Sequence, residues 1–428
     1  MTILELARQG KLTDTMKLLA EYEGVGHQVV LQEIAQGRAV VPLNKNRDIS
    51  KPVVIGKRFS VKVNANVGTS PDSCSVELEK KKIISAIDAG ADCVMDLSIA
   101  GNLPLIRNDL LSVSPVPFGT VPIYEVALEL FKQGRDIADM EIEDVLSVLE
   151  RQAREGVDFF TIHAGLLKRA VDLFVPGRIM GIVSRGGALI AEWMMKRGEE
   201  NPLYAHFDKI LALMREYDVT ISLGDGLRPG GIRDATDKAQ IDELVALGEL
   251  VSKSRKTGVQ AMVEGPGHVP LDQIEANMLL EDRLCNGAPF YVLGPLPTDI
   301  ALGYDDLAGA VGGALAGWKG AAMLCYLTAS EHVRHPDVND VKKGVIGVRI
   351  AAHIADLAKG IKKAWDWDNA MSEARFNQDW DMQIARGIDP QKAKELRESS
   401  LPEGDNDICT MCGQFCAVKR TKEAKKAK

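Results

Sequence analysis

From about residue 59 to residue 293, short and almost continuous apolar runs alternate with longer stretches whose apolar residues recur every three or four positions. Strands covered on both faces require the first pattern, and the second is the helical one. Eight strand candidates result: residues 59–64, 93–97, 119–124, 159–163, 180–184, 220–223, 260–263 and 290–293. Helical segments lie between them. Residues 76–89 end at Gly90, residues 142–154 end before Gly156, and residues 236–256 stop before Gly258. Glycine just past a last turn adopts left-handed backbone without strain, so it is the expected stop. Eight strand–helix repeats predict an α/β fold, a (β/α)8 TIM-type barrel of parallel strands. An open doubly wound sheet would carry a glycine-rich dinucleotide turn after its first strand, and Asn64-Ala65-Asn66-Val67-Gly68 is not one.

The flanks read differently. Residues 2–21 form an amphipathic helical pattern, and helical periodicity returns over residues 345–359 and 366–385. The expected organisation is an N-terminal helical lead-in (1–55), a catalytic barrel (56–343), a C-terminal helical region (344–400) and a tail (401–428) reached through the acidic linker 401–407.

Bulk properties narrow the class without choosing a chemistry. The chain has 428 residues, 46% hydrophobic and 26% charged, with a formal net charge of −8. That acidic balance offers no basic face for nucleic acid. The lysine-rich end, residues 419–428, reads as a solvated tail. No run approaches the ~18 apolar residues of a membrane span, and the longest candidate, 307–318, is short and glycine-rich. The start shows no basic-then-apolar leader pattern. Seven cysteines are an odd count, and Cys74, Cys93, Cys285 and Cys325 are scattered, so a reducing, cytoplasmic compartment is expected.

The remaining three cysteines carry the sharpest signal. Cys409, Cys412 and Cys416 fall within eight residues of a polar tail. Three thiolates so close together can hold three irons of a 4Fe–4S cluster and leave one iron open for a small ligand such as S-adenosylmethionine. The competing reading is a zinc knuckle, which wants a fourth ligand nearby. No histidine follows His353, and the tail holds no further cysteine. The expected strand ends add a second signal, because barrel chemistry sits at the carboxyl ends of the strands. In order they offer Asn64 and Asn66; Met95 and Asp96; Tyr124; His163; Ser184 and Arg185; Asp225 and Arg228; Glu264 and His268; and Tyr291. Helix caps account for some polar residues at such places, but not readily for eight sets on one rim.

Several long motifs resemble the phosphomethylpyrimidine synthase family of radical S-adenosylmethionine enzymes. They are Asn64-Ala65-Asn66-Val67-Gly68-Thr69-Ser70-Pro71, Gly119-Thr120-Val121-Pro122-Ile123-Tyr124 and Gly181-Ile182-Val183-Ser184-Arg185-Gly186-Gly187. They continue in Ser222-Leu223-Gly224-Asp225-Gly226-Leu227-Arg228-Pro229-Gly230 and in Glu264-Gly265-Pro266-Gly267-His268-Val269-Pro270. The resemblance covers nearly the whole chain. It implies a radical carbon–carbon lyase acting on 5-aminoimidazole ribotide, with a 4Fe–4S cluster that has an open iron, S-adenosylmethionine, and an electron donor such as flavodoxin or ferredoxin. It also implies a homodimer in which the cysteine tail folds over an active site of the partner. Carried over residue by residue, the substrate contacts are Asn66, Met95, Tyr124, His163, Ser184, Arg185, Gly186, Asp225, Gly226, Leu227, Arg228, Glu264 and Tyr291. His268 and His332 are implied as ligands of a divalent metal, zinc, and Cys409, Cys412 and Cys416 as the cluster ligands. His335 is a neighbouring decoy for His332.

Three departures from the family pattern bear on the product. Three residues, rather than four, separate Cys412 from Cys416, as in shorter members. A Ser-Thr-Gly-Gly segment is here Ser98-Ile99-Ala100-Gly101, and a Pro-Gly-Tyr-Asp-His segment is Leu302-Gly303-Tyr304-Asp305-Asp306. The last change removes an imidazole beside the expected site. The expectation is therefore 5-hydroxybenzimidazole, the lower-ligand precursor of an anaerobic cobalamin, made by a paralogue from the same substrate. The alternative is 4-amino-5-hydroxymethyl-2-methylpyrimidine phosphate, for thiamine biosynthesis.

Residue chemistry supports parts of this independently. Ser184-Arg185-Gly186-Gly187 and Arg228 with Gly230 combine positive charge with glycines that let backbone N–H groups approach an anion, which suits a substrate phosphate. Asp225, Glu264 and His163 are the candidates for catalytic proton transfer, because burial can tune carboxylates and imidazole towards neutrality. A different class, a metal-dependent barrel hydrolase using His163, His268, Asp225 and Glu264 with a structural zinc tail, also accommodates these residues. A non-catalytic scaffold does not call for them.

Overall fold

The computed structural model describes residues 1–401 and 408–426. Residues 402–407 of the expected linker, together with Ala427 and Lys428, lie outside the described residues. The chain forms two compact units, Met1–Lys359 and Gly360–Lys428.

The first unit opens with three short helices rather than one amphipathic segment. α1 (Ile3–Arg8) starts from a capping box between Thr2 and Glu5. Gly10, in the left-handed region at φ +72°, separates it from α2 (Asp14–Glu23), which Thr13 caps. With α3 (His27–Ala35) they bury Met16, Leu19, Val30 and Ile34 in a small core of their own, which also takes in Phe59. Two short strands, β1 (Ala39–Val40) and β2 (Ile55–Gly56), pair antiparallel. The segment between them is pinned to the amino ends of barrel strands. Asp158 accepts from the amides of Asn44 (3.0 Å) and Phe118 (2.8 Å) and pairs with Arg47, while Gln260 exchanges hydrogen bonds with the backbone of Val41.

Eight parallel strands close a barrel: β3 (Lys62–Val67), β4 (Cys93–Asp96), β5 (Phe118–Thr120), β6 (Phe159–Ile162), β7 (Thr220–Leu223), β8 (Ala261–Gly265), β9 (Phe290–Leu293) and β10 (Met323–Cys325), with β10 pairing back onto β3. Closure leaves no strand edge unpaired. The strands are almost wholly buried, which explains their continuous apolar character. Around them run α4 (Val76–Asp88), α5 (Leu103–Val113), α6 (Pro122–Lys132), α7 (Ile142–Glu155), α8 (Lys168–Leu173), α9 (Arg185–Arg197), α10 (Pro202–Ala205), α11 (Phe207–Tyr217), α12 (Lys238–Lys256), α13 (Leu271–Leu284), α14 (Asp305–Lys319) and α15 (Val338–Ala358).

Two corrections concern the strands. Residues 180–184 are not a strand. Ile179, Met180 and Val183 are exposed, and the amides of Ile179 and Met180 donate to Asp234 instead of to a sheet neighbour. The eighth strand is β10, within the apolar run 321–327. The expected strand over 119–124 also ends early, because Pro122 opens α6.

The second unit is helical: α16 (Lys362–Asn377), α17 (Trp380–Ala385), α18 (Pro390–Glu398) and α19 (Ala417–Lys426). Gln378, left-handed at φ +59°, and the Asp379 cap divide the pattern over 366–385 into two helices. Arg397 stacks on Trp380 at 4.0 Å and donates to the carbonyl of Ile408 (2.9 Å), tying the residue just before the cysteine run to α18. Among the described residues no helix is long and apolar enough to cross a membrane.

Candidate active site

The carboxyl ends of the barrel strands surround a cavity. Its floor comes from neighbouring strands in matched register. Asn66 on β3 is paired with Met95 on β4, and Glu264 on β8 with Tyr291 on β9. Asn64 lies below and links them, donating to Asn66 Oδ1 (2.9 Å) and to the Tyr291 hydroxyl (2.7 Å). Tyr291 turns its hydroxyl to the Met95 sulfur at 3.7 Å, and Asn66 Nδ2 donates to Cys325 Sγ at 3.2 Å. Burial pushes the Cys325 thiol up to about 12, so it stays protonated.

One side of the cavity is acidic. Glu264 Oε1 accepts from Thr161 Oγ1 and Ser222 Oγ, each at 2.7 Å. Arg228 donates to Asp225 at 3.0 Å. Burial drives the Asp225 carboxyl up to about 7, with the charge of Glu264 adding to the push and Arg228 opposing it. Burial also raises Glu264, against its two hydroxyl donors. Asp225 therefore changes protonation near neutrality, which is what a group exchanging protons at working pH requires.

His163 follows β6 and is buried. Burial, with the Arg228 charge beside it, holds its imidazole down at about 3, so the ring is neutral. Ser184 caps α9 by accepting from the Gly187 amide (3.1 Å), and the same hydroxyl is hydrogen-bonded to His163 Nε2 at 3.1 Å. The other ring nitrogen, Nδ1, is buried and among the described residues has no hydrogen-bond partner. The glycines of this turn serve close packing. A Cβ on Gly186 would lie 2.3 Å from His163 Cε1, and one on Gly187 would lie 2.5 Å from the Gly226 carbonyl. Arg185 is exposed and lies over the Tyr124 ring at 4.9 Å.

Of the expected site residues, Asn66, Met95, Tyr124, His163, Asp225, Arg228, Glu264 and Tyr291 line this one cavity. Ser184, Arg185 and Gly186 stand beside it at the start of α9. Gly226 and Leu227 lie behind it, where the Leu227 amide donates to Glu243 Oε2 at 2.8 Å. The other Glu243 oxygen is buried without a partner among the described residues, and burial lifts that carboxyl to about 8. Sequence reasoning passed over Thr161, Ser222 and Cys325. The first two were legible as polar residues inside apolar strands. Cys325 was hidden because its strand was not counted.

His268 and His332 come together on the rim, ring centroids 5.5 Å apart. Each places Nδ1 against a carboxylate, Asp299 at 2.8 Å and Asp305 at 3.3 Å. A carboxylate accepts only, so both Nδ1 atoms carry protons and both Nε2 lone pairs are left for a metal. As a donor pair they fit a divalent ion. His335 is separate: its Nε2 donates to the Gly68 carbonyl (2.9 Å) while Lys82 approaches Nδ1 (3.2 Å). Cys409, Cys412 and Cys416 are free thiols, at least partly open to solvent, around a single 3-10 turn at Gly413–Phe415. That donor set fits an iron–sulfur cluster. Among the described residues no three His, Cys, Asp or Glu side chains converge as a closed metal-binding group.

Comparison with known proteins places this architecture. The model of the Radical SAM ThiC family matches residues 2–423. A phosphomethylpyrimidine synthase of Methanopyrus kandleri is 52% identical over 426 residues, spanning 99% of this chain and 99% of the relative. One of Caldanaerobacter subterraneus subsp. tengcongensis is 52% identical over 427 residues, spanning 99% and 98%. One of Methanocaldococcus jannaschii is 51% identical over 425 residues, spanning 99% of each. These names favour the pyrimidine alternative over the expected 5-hydroxybenzimidazole synthase. The expectation rested on the lost imidazole, and that position lies away from the cavity. Asp306, the replacement for the expected imidazole, lies in the first turn of α14, where a carboxylate complements the helix dipole, and it does not line the cavity.

Proposed function

The chain belongs to the Radical SAM ThiC family, and from that premise we propose that it converts 5-aminoimidazole ribotide to 4-amino-5-hydroxymethyl-2-methylpyrimidine phosphate. The family brings a 4Fe–4S cluster and S-adenosylmethionine, which when bound would supply radical chemistry. Cys409, Cys412 and Cys416 would hold the cluster, with a flavodoxin or ferredoxin as electron donor and a homodimer as the working form.

The barrel residues bind, orient and move protons. Arg228 supplies the charge for the ribotide phosphate, helped by the N-terminus of α9 at Ser184. Asn66 and Tyr291, already fixed by Asn64, present polar groups to the ribose. Neutral His163, held by Ser184, presents its ring edge to the substrate at the cavity wall. Asp225, poised near pH 7, gives and takes protons as the ring rearranges, and Glu264 accepts with its orientation locked by Thr161 and Ser222. Met95 and Tyr124 form walls that exclude water. His268 and His332 would hold a divalent metal, zinc, at the rim.

One observation carries this reading most directly: a single cavity brings Asn66, His163, Asp225, Arg228, Glu264 and Tyr291 together. The test is anaerobic incubation of reconstituted protein with the ribotide, S-adenosylmethionine and dithionite, followed by mass spectrometry. A phosphorylated pyrimidine is expected. A hydroxylated benzimidazole, or unchanged ribotide beside an intact cluster, overturns the proposal.

A further inference from the structure

His268 is tied to the loop that follows β7 in two ways. Its own amide donates to the Pro229 carbonyl at 3.4 Å. Its Nδ1 meets Asp299 Oδ1 at 2.8 Å, and the same carboxylate accepts the Ile232 amide through Oδ1 (3.2 Å) and Oδ2 (3.0 Å). Gly231 packs against this junction: a Cβ there would lie 3.2 Å from Asp299 Oδ2. Asp299 itself comes from the loop after β9. One carboxylate therefore joins three strand–helix loops. One loop carries Arg228, the next carries His268, and Asp299 is the crosspiece between them.

We propose that Asp299 is a positioning residue that couples divalent-metal binding at His268 and His332 to the ordering of the Arg228–Ile232 loop, so that metal and the substrate's phosphate group bind with positive cooperativity. This rests on the metal and phosphate assignments made above. A cation on Nε2 polarises the ring and strengthens the Nδ1–H bond to Asp299. That anchors the carboxylate that holds Ile232, four residues beyond Arg228. A loop already ordered loses less conformational freedom when the phosphate arrives. Linkage makes the effect reciprocal: bound ribotide must tighten metal binding by the same factor.

The experiment uses full-length protein, with Zn²⁺ alone as the metal probe and the ribotide as the phosphate ester. Zn²⁺ affinity is measured by chelator competition, with and without ribotide, for the parent, Asp299→Ala and Asp299→Asn. Circular dichroism confirms that each variant is folded. Asp299→Ala is expected to weaken Zn²⁺ about 10- to 100-fold. Asp299→Asn, which keeps an oxygen acceptor but no charge, should fall between. In the parent, ribotide should tighten Zn²⁺ at least about fivefold, and Asp299→Ala should abolish most of that gain. Unchanged Zn²⁺ affinity in both variants overturns the proposal, as does a parent that binds both ligands independently. A parent that binds no Zn²⁺ overturns the metal assignment and the proposal together.

Discussion

Gly186 lies against the imidazole of His163 so closely that a Cβ at this position would come within 2.5 Å of Nδ1. Both are buried, and Ser184 fixes the opposite nitrogen of the ring. A rigid ring with a serine on one side and glycine backbone on the other has nowhere to retreat. Gly186→Ala is therefore expected to displace His163 and to lower kcat/KM about 100-fold, since a misplacement of the order of 1 Å costs that much. Single-turnover assays measure the loss. A variant as active as the parent would show that the His163 position does not matter to the reaction.

Asp225 should leave its mark on the pH profile. With its carboxyl raised to about 7, the parent's kcat/KM should bend near that pH. Asp225→Asn should remove this inflection and lower kcat by about 10²- to 10⁴-fold, the usual range for a positioned acid or base. Retention of the bend in the variant would assign it to another group.

Glu243 offers a test of stability. Its carboxyl rises from 4.5 to about 8 on folding because of burial. Between those values the folded protein holds a proton that the unfolded chain has released, so stability falls as pH rises through the window. Glu243→Gln keeps an oxygen for the Leu227 amide and cannot ionise. Its Tm relative to the parent should therefore climb by a few degrees between pH 5 and pH 8. A constant difference across that range would mean that Glu243 is ionised in the fold.

The cysteines divide into two groups with different expected phenotypes. Cys412 is exposed in the tail, whereas Cys325 is buried beside Asn66 in the barrel. After anaerobic iron and sulfide reconstitution, Cys412→Ala should lose most of the brown colour and the reduced-cluster EPR signal. Cys325→Ala should keep both and instead raise the KM for the ribotide. The reverse pattern would move the cluster out of the tail.

The barrel was legible because its strands are buried on both faces and read as unbroken apolar runs. Local propensity failed where tertiary hydrogen bonds decided the outcome. Ile182 and Val183 favour a strand, yet Asp234 takes the preceding amides and the segment stays a loop. β10 is only three residues long and contains no β-branched residue, so its strand preference is weak although it closes the ring. The rim residues were visible as polar groups at strand ends. Their grouping into an acidic side, a hydrogen-bonded floor and a histidine pair was not, because it depends on which strands become neighbours. Asp299 left no local signal, since it is one aspartate among many in a loop.

The seam between β10 and β3 has a consequence for how the protein is made. Met323 pairs with Lys62, so the first barrel strand to leave the ribosome waits for the last before the ring can shut. Until then the nascent polypeptide exposes two rows of unsatisfied amides and carbonyls, the kind of surface that seeds self-association. Any product of premature termination before Met323 would carry those rows permanently, and should depend on chaperones or precipitate rather than persist as a smaller folded enzyme.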